Sequence, residues 1–569
     1  MLKKRIPIGI ENYKEMIERD YYYVDKTLLI KEVLDQWTKV FLLTRPRRFG
    51  KTLAQSMLQT FFEDVRDEKG NKIDTVHYFD GKKIMDAGES YFSHAGKYPV
   101  INLSLKSAKQ PSFDIAYACL RDEIAGEYYR HQYVAESAIL TEKERELYYK
   151  IRDREADYQE YATALMRLSE YLSRYHGTKT VILIDEYDVP LENAWFEGFY
   201  ESMIKFIRSL FESALKTNNH LAFAVVTGCL RISRESIFTG LNNLKVVSIL
   251  DSGFGEYFGF LPEEVEDMLD FYEIGHCKED AKRWYDGYLF GESEVYNPWS
   301  VLNYVSDTIS RTAKFPKPYW SNTSSNSIVK ELVERADAQV RKEIELLLDG
   351  GTIEKPIHED ITYGDIYKSQ DNLWNFLFFT GYLKKCKERQ NEELQYLTMS
   401  VPNAEIAYIY KNTILAWFDK KITQVDMTPF IKAMENGDCE TFGQFLSTQL
   451  IETISFFDYK ESYYHGFLAG ILKCFHKYAV LSNREVGIGR SDIIMEDYET
   501  GTRGIILELK VAKKYSEMEK LCEEALEQIE TMEYERNLRE DGYEEILKYG
   551  VCFFKKRCMV KKANDEMTK

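Results

Sequence analysis

Short apolar runs recur through the first 250 residues and predict buried strands. The runs are Phe41–Leu43, Tyr98–Leu105, Thr180–Ile184, Leu221–Val226 and Lys245–Leu250. Runs without polar alternation are typical of strands that are covered on both faces of a parallel sheet. Helical periodicity separates them, at 28–36, at about 52–64 and through the charged stretch 112–175. This alternation predicts an α/β domain with a parallel sheet over residues 1–260.

The pattern changes twice after this domain. Residues 261–340 have a helical pattern and predict a small helical lid subdomain. In 341–430, the buried helix Leu373–Phe379 precedes two strand-like segments around the charged turn 388–393. A helix followed by a hairpin resembles a winged-helix unit, and its mixed charges favour a packing role over contact with DNA.

Residues 431–569 predict a last α/β domain. The predicted elements are a helix at 463–475, a strand at 504–510, a helix at 516–536 and a strand at 549–555. No long Gly/Ser-rich linker separates the predicted domains, so we expect them to pack together.

A basic loop follows the first apolar run and ends as a phosphate-binding P-loop (Walker A motif) does. Its residues are Arg45, Pro46, Arg47, Arg48, Phe49, Gly50, Lys51, Thr52 and Leu53. Backbone N–H groups and a helix N-terminus bind polyphosphate in such loops. Lys51 would reach the β- and γ-phosphates, and the Thr52 hydroxyl would ligate Mg²⁺. The general motif has Gly where this chain has Arg45, so the loop alone leaves a basic turn as an even alternative.

Acidic residues end the strand predicted at Thr180–Ile184. We expect Asp185 to join the Mg²⁺ shell, as a Walker B Asp does, and Glu186 to polarise the attacking water. The alternative, acids that merely face solvent at a strand end, is disfavoured downstream of a P-loop. Thr227 ends the next strand and would lie near the γ-phosphate. Arg231 and Arg234 are candidate phosphate contacts, but for each one a solvated turn is the preferred interpretation.

A second group of acidic and basic residues lies in the C-terminal domain. Glu508 and Lys510 stand two apart on a predicted strand and therefore share one face. Asp492, at the start of the preceding hairpin strand, would face Glu508, so the two carboxylates would hold a divalent cation. Lys510 would orient the water and neutralise the phosphate. Glu485 is a possible further ligand, and Gln528 would face back toward the site from the following helix.

The chain resembles a known family in several motifs. They are Tyr22–Thr27, Arg45–Thr52, Leu183–Asp188, Gly240–Asn243, Trp284–Tyr288 and Tyr296–Ser300, together with Asp492, Glu508 and Lys510. These resemble the AAA-ATPase-like proteins that carry a C-terminal PD-(D/E)XK nuclease-like domain. The resemblance covers most of the chain and implies an ATP-binding domain of the AAA/ASCE class and a nuclease fold. It also implies that the arginine-bearing P-loop is the usual form in this family.

The composition changes this picture mainly through charge. The net charge is −18 over 569 residues, so any contact with DNA or RNA must use local basic patches. The nine cysteines form no CxxC pair, which argues against a zinc site and favours a reducing cytoplasm. No apolar run approaches the roughly 20 residues that span a bilayer. We therefore expect a cytoplasmic protein without a membrane partner, and a homo-oligomer remains open.

The leading hypothesis joins these parts. It is an α/β multidomain protein in which an ATP-binding and hydrolysing P-loop domain is fused, through helical and winged-helix-like regions, to a nuclease-like domain. The cofactors are ATP and Mg²⁺, with Mn²⁺ as an alternative at the nuclease-like site. The competing hypothesis is a non-catalytic, nucleotide-gated protein that only binds nucleic acid or a partner.

Overall fold

The structure is a computed structural model. It describes residues 3–67, 69–231, 237–238, 243–312, 315–322, 329, 338–359, 363, 366, 368–391, 394–422, 427–452, 461–473, 475, 477–486 and 489–563. The chain divides into two compact units. The first unit contains Met1–Thr323 and Thr352–Ala407, and the second unit contains Ser324–Gly351 and Tyr408–Lys569. The four domain boundaries inferred from the sequence stay predictions.

The α-helices are numbered in chain order. They are α1 Tyr13–Glu18, α2 Leu28–Gln36, α3 Lys51–Phe62, α4 Glu89–Phe92, α5 Phe113–Arg130, α6 Tyr133–Glu136, α7 Glu142–Arg152, α8 Tyr158–Ala162, α9 Ala164–His176, α10 Val189–Glu197, α11 Tyr200–Phe211, α12 Pro262–Phe271, α13 Lys278–Tyr285, α14 Pro298–Ile309, α15 Ala338–Leu348, α16 Gln370–Phe379, α17 Ala404–Ile422, α18 Thr428–Asn436, α19 Cys439–Glu452, α20 Glu461–Lys473, α21 Met518–Thr531 and α22 Arg536–Glu540. In the described residues, no helix is long and apolar enough to cross a membrane.

The strands are numbered in the same way. They are β1 Val40–Thr44, β2 Val100–Ser104, β3 Thr180–Asp185, β4 Leu221–Gly228, β5 Leu244–Val247, β6 Tyr288–Phe290, β7 Ser293–Val295, β8 Ile353–Pro356, β9 Lys384–Asn391, β10 Leu394–Ser400, β11 Tyr478–Val486, β12 Gly489–Asp497, β13 Arg503–Val511, β14 Glu545–Phe554 and β15 Arg557–Lys562.

The main sheet of the first unit is parallel, as the apolar runs predicted. Its order is β2-β3-β4-β1-β5, and every neighbouring pair runs parallel. All residues of β1 and of β3 are buried, which explains why these strands lack polar alternation. Parallel strands present their carboxyl ends at one edge, so the residues that follow β1, β3 and β4 meet there.

The rest of the first unit agrees with the sequence only in part. Residues 261–340 were predicted to be helical, yet β6 and β7 form an antiparallel hairpin between α13 and α14. The helix and hairpin predicted in 341–430 are present as α16 and β9–β10, with β8 as a third antiparallel strand, and the likeness to a winged-helix unit stays a prediction. The predicted charged turn 388–393 is wrong in extent, because β9 continues to Asn391. Pairing with β10 holds these polar residues in a strand.

The second unit contains a mixed sheet with the order β11-β12-β13-β14-β15. Only β13 and β14 run parallel, and α21 makes the crossover between them. The helix predicted at 516–536 is shorter, since α21 ends at Thr531, Glu533 has a φ of 52°, and a separate helix, α22, begins at Arg536. The main hydrophobic core of the second unit lies between the helices α18, α19 and α20 and one face of the sheet.

Candidate functional site

The loop between β1 and α3 enters the helix through residues in the left-handed region of the backbone map. Gly50 stands at the N-cap of α3 with a φ of 85°, in the left-handed region that glycine adopts without a steric penalty. A Cβ on Gly50 would meet nothing within 4 Å, so the glycine is needed for its conformation and not for space. Arg48 also has a positive φ, of 71°. The loop therefore turns sharply just before the helix N-terminus.

Lys51 lies inside the loop that precedes it. Its side chain is buried, and Nζ donates hydrogen bonds to the carbonyl oxygens of Arg45 at 2.9 Å and Pro46 at 3.0 Å. The ammonium group is thus held at the carboxyl edge of the sheet.

Asp185 gathers two hydroxyl groups at the same edge. Its Oδ2 accepts a hydrogen bond from Thr52 Oγ1 at 2.7 Å, and its Oδ1 accepts one from Thr227 Oγ1. Gln55 braces this cluster by donating to the carbonyl oxygens of Ile184 and Val225, each at 3.1 Å. Three oxygen-bearing side chains from α3, β3 and β4 are therefore brought together, and oxygen is the donor that Mg²⁺ prefers.

Glu186 follows Asp185 in an unusual backbone conformation. Its φ is 51°, a strained value for a residue with a Cβ. In the described part of the chain, its carboxylate accepts no hydrogen bond. Burial raises its pKa, with Asp185 and Asp188 acting in the same direction and Lys51 against them. A carboxylate that is partly desolvated and unpaired by hydrogen bonds is suited to accept a proton.

Asp188 fixes the end of the neighbouring strand. Its Oδ2 accepts hydrogen bonds from the main-chain N–H groups of Cys229 at 2.8 Å and Leu230 at 3.2 Å. The contact requires a glycine at 228, since a Cβ there would lie 2.5 Å from the Tyr187 ring. Asp188 therefore holds the residues that follow β4, whereas in the described part of the chain the Glu186 carboxylate accepts no main-chain N–H.

Arg45 does not point toward the loop opening. Its side chain is fully buried and donates to the carbonyl oxygens of Thr44 at 2.8 Å and Val247 at 3.1 Å. The guanidinium also lies 5.2 Å from the Phe258 ring centroid and 5.4 Å from that of Phe290. Burial lowers its pKa to about 9. The side chain thus fastens the loop to the core, and the main-chain N–H of Arg45 is also engaged, because it donates to the carbonyl oxygen of Gly228 at 3.0 Å.

The other predicted loop residues are held by side chains of the same unit. Arg47 pairs with Glu192, and the Arg48 guanidinium lies 4.0 Å from the Trp299 ring centroid. The Phe49 ring packs against Tyr288 and Phe290, with ring centroids 4.9 and 5.0 Å away. A Cβ on Gly381 would lie 3.0 Å from Pro46, so the backbone there approaches the loop closely. Leu53 is half-buried in the first turn of α3.

The two arginines considered as phosphate contacts have different outcomes. Arg231 lies 3.5 Å from Glu359. Arg234 lies outside the described residues. The ion pair of Arg231 does not support a contact with phosphate, and the interpretation of Arg234 stays a prediction.

The second candidate site lies where the pairing of β12 and β13 ends. The last registered pair is Ile493 with Leu507, so Asp492 and Glu508 are the next residues on the two strands. Asp492 Oδ2 accepts a hydrogen bond from the Leu509 N–H at 2.8 Å, and the Asp492 N–H lies 3.4 Å from Glu508 Oε2. Asp492 lies inside β12, which begins at Gly489, and not at the start of the strand as predicted.

Lys510 and Gln528 complete this group. Lys510 Nζ donates to Gln528 Oε1 at 2.6 Å and lies 3.6 Å from Glu508 Oε1. Gln528 Nε2 in turn donates to Glu508 Oε1 and lies 3.3 Å from the Tyr534 hydroxyl. The glutamine thus links the carboxylate of Glu508 to the ammonium group of Lys510.

Glu508 is in an environment that disfavours its charged form. It is 2% exposed, and burial, followed by the nearby Asp492, raises its pKa to about 7. A divalent cation between the two carboxylates would relieve their repulsion, so the pair fits a metal. In the ranges described above, no cluster of three or more His, Cys, Asp and Glu side chains suits a metal. The side chain of Glu485 lies outside the described residues.

His465 lies beside this site without joining the carboxylates. Its Nε2 is 2.8 Å from the main-chain oxygen of Asp492 and 3.3 Å from Ser482 Oγ. It therefore braces the backbone of β12 and, by these contacts, is a structural neighbour of the site.

Sequence reasoning missed two supporting residues. Gln55 stands three residues after Thr52, so the helical spacing placed it on the same face of α3 and was a usable signal. Tyr534 follows a turn that no local pattern indicated, and no signal in the sequence placed it beside Gln528.

Comparisons with known proteins match the two stretches of the chain that contain these residues. Residues 7–238 match the AAA-ATPase-like family, described as a predicted AAA-ATPase, and residues 459–563 match the PD-(D/E)XK nuclease superfamily. An uncharacterized protein in the vnfD 5' region of Azotobacter chroococcum mcd 1 is 27% identical over 340 residues. That alignment spans 58% of this chain and 57% of the other protein.

A solved structure is also similar. The Walker-type ATPase PABY2304 of Pyrococcus abyssi matches 72% of this chain and 99% of its own, with 13% identity and a TM-score of 0.36. The α/β fold is shown by the parallel sheet of the first unit and the mixed sheet of the second unit, together with the family matches. The chain therefore combines an AAA-ATPase-like domain over residues 7–238 with a PD-(D/E)XK nuclease superfamily domain over residues 459–563.

Proposed function

We propose that this protein binds and hydrolyses ATP in its N-terminal domain and cleaves nucleic acid with a divalent metal ion in its C-terminal domain. The observation that carries the proposal is the convergence of acidic residues with the groups each reaction needs. Thr52, Asp185 and Thr227 meet at the P-loop, and Asp492, Glu508 and Lys510 meet at the end of the β12–β13 pairing.

The N-terminal residues have separate roles in the proposed hydrolysis. Main-chain N–H groups of the loop and the N-terminus of α3 bind the phosphates, and Lys51 moves from the loop carbonyls to the β- and γ-phosphates. Thr52 and Asp185 would hold Mg²⁺, which supplies positive charge for the phosphate oxygens. Glu186 accepts a proton from the water that attacks the γ-phosphorus, and the bond to ADP breaks.

The C-terminal residues fit a phosphodiester cleavage. Asp492 and Glu508 would hold Mg²⁺ or Mn²⁺, which offsets the charge of the scissile phosphate. Lys510 orients the attacking water and stabilises the extra negative charge on phosphorus. Gln528 positions both groups, because it bonds Lys510 through Oε1 and Glu508 through Nε2. Water adds to phosphorus, one P–O bond to a sugar oxygen breaks, and the proton that the water gives up ends on that sugar oxygen.

The test uses the full-length protein with both activities measured on one preparation. ATP turnover is followed as phosphate release with Mg²⁺, and cleavage is followed on labelled single- and double-stranded DNA and RNA with Mg²⁺ or Mn²⁺. We expect metal-dependent products that EDTA abolishes. ATP binding without turnover, together with no cleavage of any substrate, would replace this proposal with the nucleotide-gated binding protein.

A further inference from the structure

A basic and aromatic surface lies at one edge of the C-terminal sheet. It consists of Lys513, Lys514, Tyr515, Lys555 and Arg557, all exposed, and is called the basic rim. β13 and β14 run parallel with Val511 beside Phe553, so the segments that follow both strands leave the sheet at the same edge. Two segments that are 40 residues apart in the sequence therefore bring their cations together.

Aromatic rings hold part of the basic rim in place. The Arg557 guanidinium lies 5.0 Å from the Tyr515 ring centroid, and Lys555 Nζ lies 5.6 Å from that of Phe554. The Tyr515 and Phe554 rings meet edge to face at 6.4 Å. Tyr515 is still 52% exposed, so its ring remains accessible to another planar group.

Among the residues that the structure describes, none of the four cations of the basic rim forms an ion pair, although Glu440 lines a cavity together with Tyr515 and Arg557. Lys561, on the same strand as Arg557, instead contacts Glu519 at 2.9 Å and Glu523 at 2.7 Å. Glu517 lies near the basic rim but accepts the main-chain N–H of Lys514. In a chain of net charge −18, such a group of cations is a local exception that favours an anionic partner.

The basic rim lies close to the candidate cleavage site. Lys510 of β13 pairs with Cys552 of β14, and Cys552 pairs with Met559 of β15. Arg557 precedes Met559 by two residues on β15. Strand spacings of about 4.8 Å and rises of about 3.3 Å per residue put the Cα atoms of Lys510 and Arg557 roughly 12 Å apart. Alternation along the strands places both residues on one face of the sheet. The start of α21 packs on this face against Cys552 and Met559. A bound strand would therefore pass around the helix and span more than the roughly three or four nucleotides that a straight line gives at about 3.4 Å per nucleotide.

We propose that the basic rim binds the phosphodiester backbone of a nucleic-acid strand, a few nucleotides from the phosphate at Glu508 and Lys510. Lysine and arginine bind backbone phosphate through charge, independently of sequence. Tyr515 stacks on an unpaired base, since every base has a planar face that can stack on an exposed ring. The identity of the strand as a substrate rests on the proposed nuclease function, whereas the binding itself does not.

The test measures binding of full-length protein in EDTA, where cleavage does not interfere. The probe is a fluorescein-labelled single-stranded DNA of about 20 nucleotides, followed by anisotropy from about 50 to 200 mM salt. The double variant Lys513→Ala/Lys514→Ala should bind about tenfold more weakly at the lower salt, with a salt slope reduced by about two. Lys520→Ala is the matched control, because Lys520 is an exposed lysine paired with Glu524 at 3.0 Å.

A variant of Tyr515 should distinguish the binding of single strands from the binding of duplexes. Tyr515→Ala should weaken binding of the single strand about fivefold or more and leave binding of the matching duplex unchanged. Arg557→Lys keeps the charge while removing the planar group that stacks on Tyr515, so it should retain the parental salt slope. Thermal melting checks that each variant is folded.

Three outcomes decide the inference. Parental binding by the double Lys variant overturns it, as does binding of phosphatidylserine vesicles or a polyaspartate peptide in place of nucleic acid. Loss of binding in that variant, with no cleavage by the parent in Mg²⁺ or Mn²⁺, supports the basic rim and rejects the nuclease. If the parent cleaves nucleic acid and the double Lys variant binds it as tightly as the parent does, the basic rim is rejected and the nuclease function is not.

Discussion

The two candidate sites differ in the charges that surround their carboxylates. In the N-terminal site, Asp185 accepts hydrogen bonds from the hydroxyls of Thr52 and Thr227. In the C-terminal site, Glu508 accepts a hydrogen bond from Gln528 but also lies beside the charge of Asp492, and the ammonium group of Lys510 is 3.6 Å away. Neutral donors fix a carboxylate without changing the local charge, whereas facing carboxylates repel one another until a cation arrives. The first arrangement favours a site that is already organised, and the second favours one that depends on metal.

Asp492→Asn tests the dependence on metal and should have the largest effect. The amide keeps the size of the side chain and the hydrogen bond from the Leu509 N–H but removes one charged ligand. We expect complete loss of metal-dependent cleavage and loss of Mn²⁺ binding at this site, measured by single-turnover assay and calorimetry. Glu496→Gln on the same strand is the control and should cleave normally. Residual cleavage in Asp492→Asn would assign the activity to another site.

Glu186→Gln tests whether the organised site is catalytic. The substitution preserves shape and removes the proton acceptor, so ATP hydrolysis should slow by about 10²–10⁴-fold. Calorimetry with Mg-ATP should give parental affinity, because Glu186 lies outside the phosphate-binding loop. Glu197→Gln, an exposed residue of α10, serves as the control. Equal turnover in the Glu186 variant would contradict the assigned role.

The facing carboxylates also predict a pH dependence of stability in metal-free protein. A pKa of about 7 for Glu508 lies above the usual 4.5, so the folded state binds this proton more tightly than the unfolded state does. This contribution is complete below about pH 4.5 and is lost as the pH rises through about 7, a change of about 3 kcal/mol.

Hydrogen exchange in β13 and β14, measured in EDTA at about pH 5 and about pH 8, checks this prediction. Opening should require less free energy at the higher pH, and added Mg²⁺ should reduce the difference. Glu508→Gln removes the titrating group and should flatten the profile by the same amount. A profile that is identical in parent and variant would show that Glu508 titrates normally.

Lys51→Ala tests the organised site through binding. Removing a charged hydrogen-bond donor costs about 1.5–3 kcal/mol, so ATP affinity should fall roughly ten- to hundredfold. Calorimetric titration with Mg-ATP measures the change, and thermal melting verifies the fold. Lys39→Ala is unsuitable as a control because Lys39 donates to strand carbonyls, so exposed Lys205→Ala is used. Parental affinity in Lys51→Ala would reject the P-loop assignment.

Gln528→Leu should have the smallest effect. The leucine fills a similar volume but no longer links Lys510 to Glu508. Cleavage should slow about tenfold, as is typical when a residue that orients a ligand is lost, and metal affinity should fall by a similar factor. Gln528→Glu keeps an acceptor for Lys510 and should recover part of the rate at high metal concentration. Unchanged kinetics in both variants would make Gln528 a packing residue.

The sequence by itself determined the local parts of this protein. Apolar runs predicted the strands of the parallel sheet because a strand covered on both faces cannot alternate. The spacing of Glu508 and Lys510 placed them on one face because side chains on a strand repeat every two residues. Asp185 and Glu186 were found because they directly follow a buried run. Each of these inferences depends on neighbours in the chain.

Only the tertiary structure decided which distant groups meet these residues. The P-loop pattern left Arg45 at a glycine position, and the fold directs its side chain to Val247 and the rings of Phe258 and Phe290. The hairpin in 261–340 and the turn after Thr531 were likewise not predicted. Local periodicity carries no information about which remote side chain removes water from a charge. That choice depends on packing, and it makes Asp185 a hydroxyl-bonded carboxylate and raises the pKa of Glu508 to about 7.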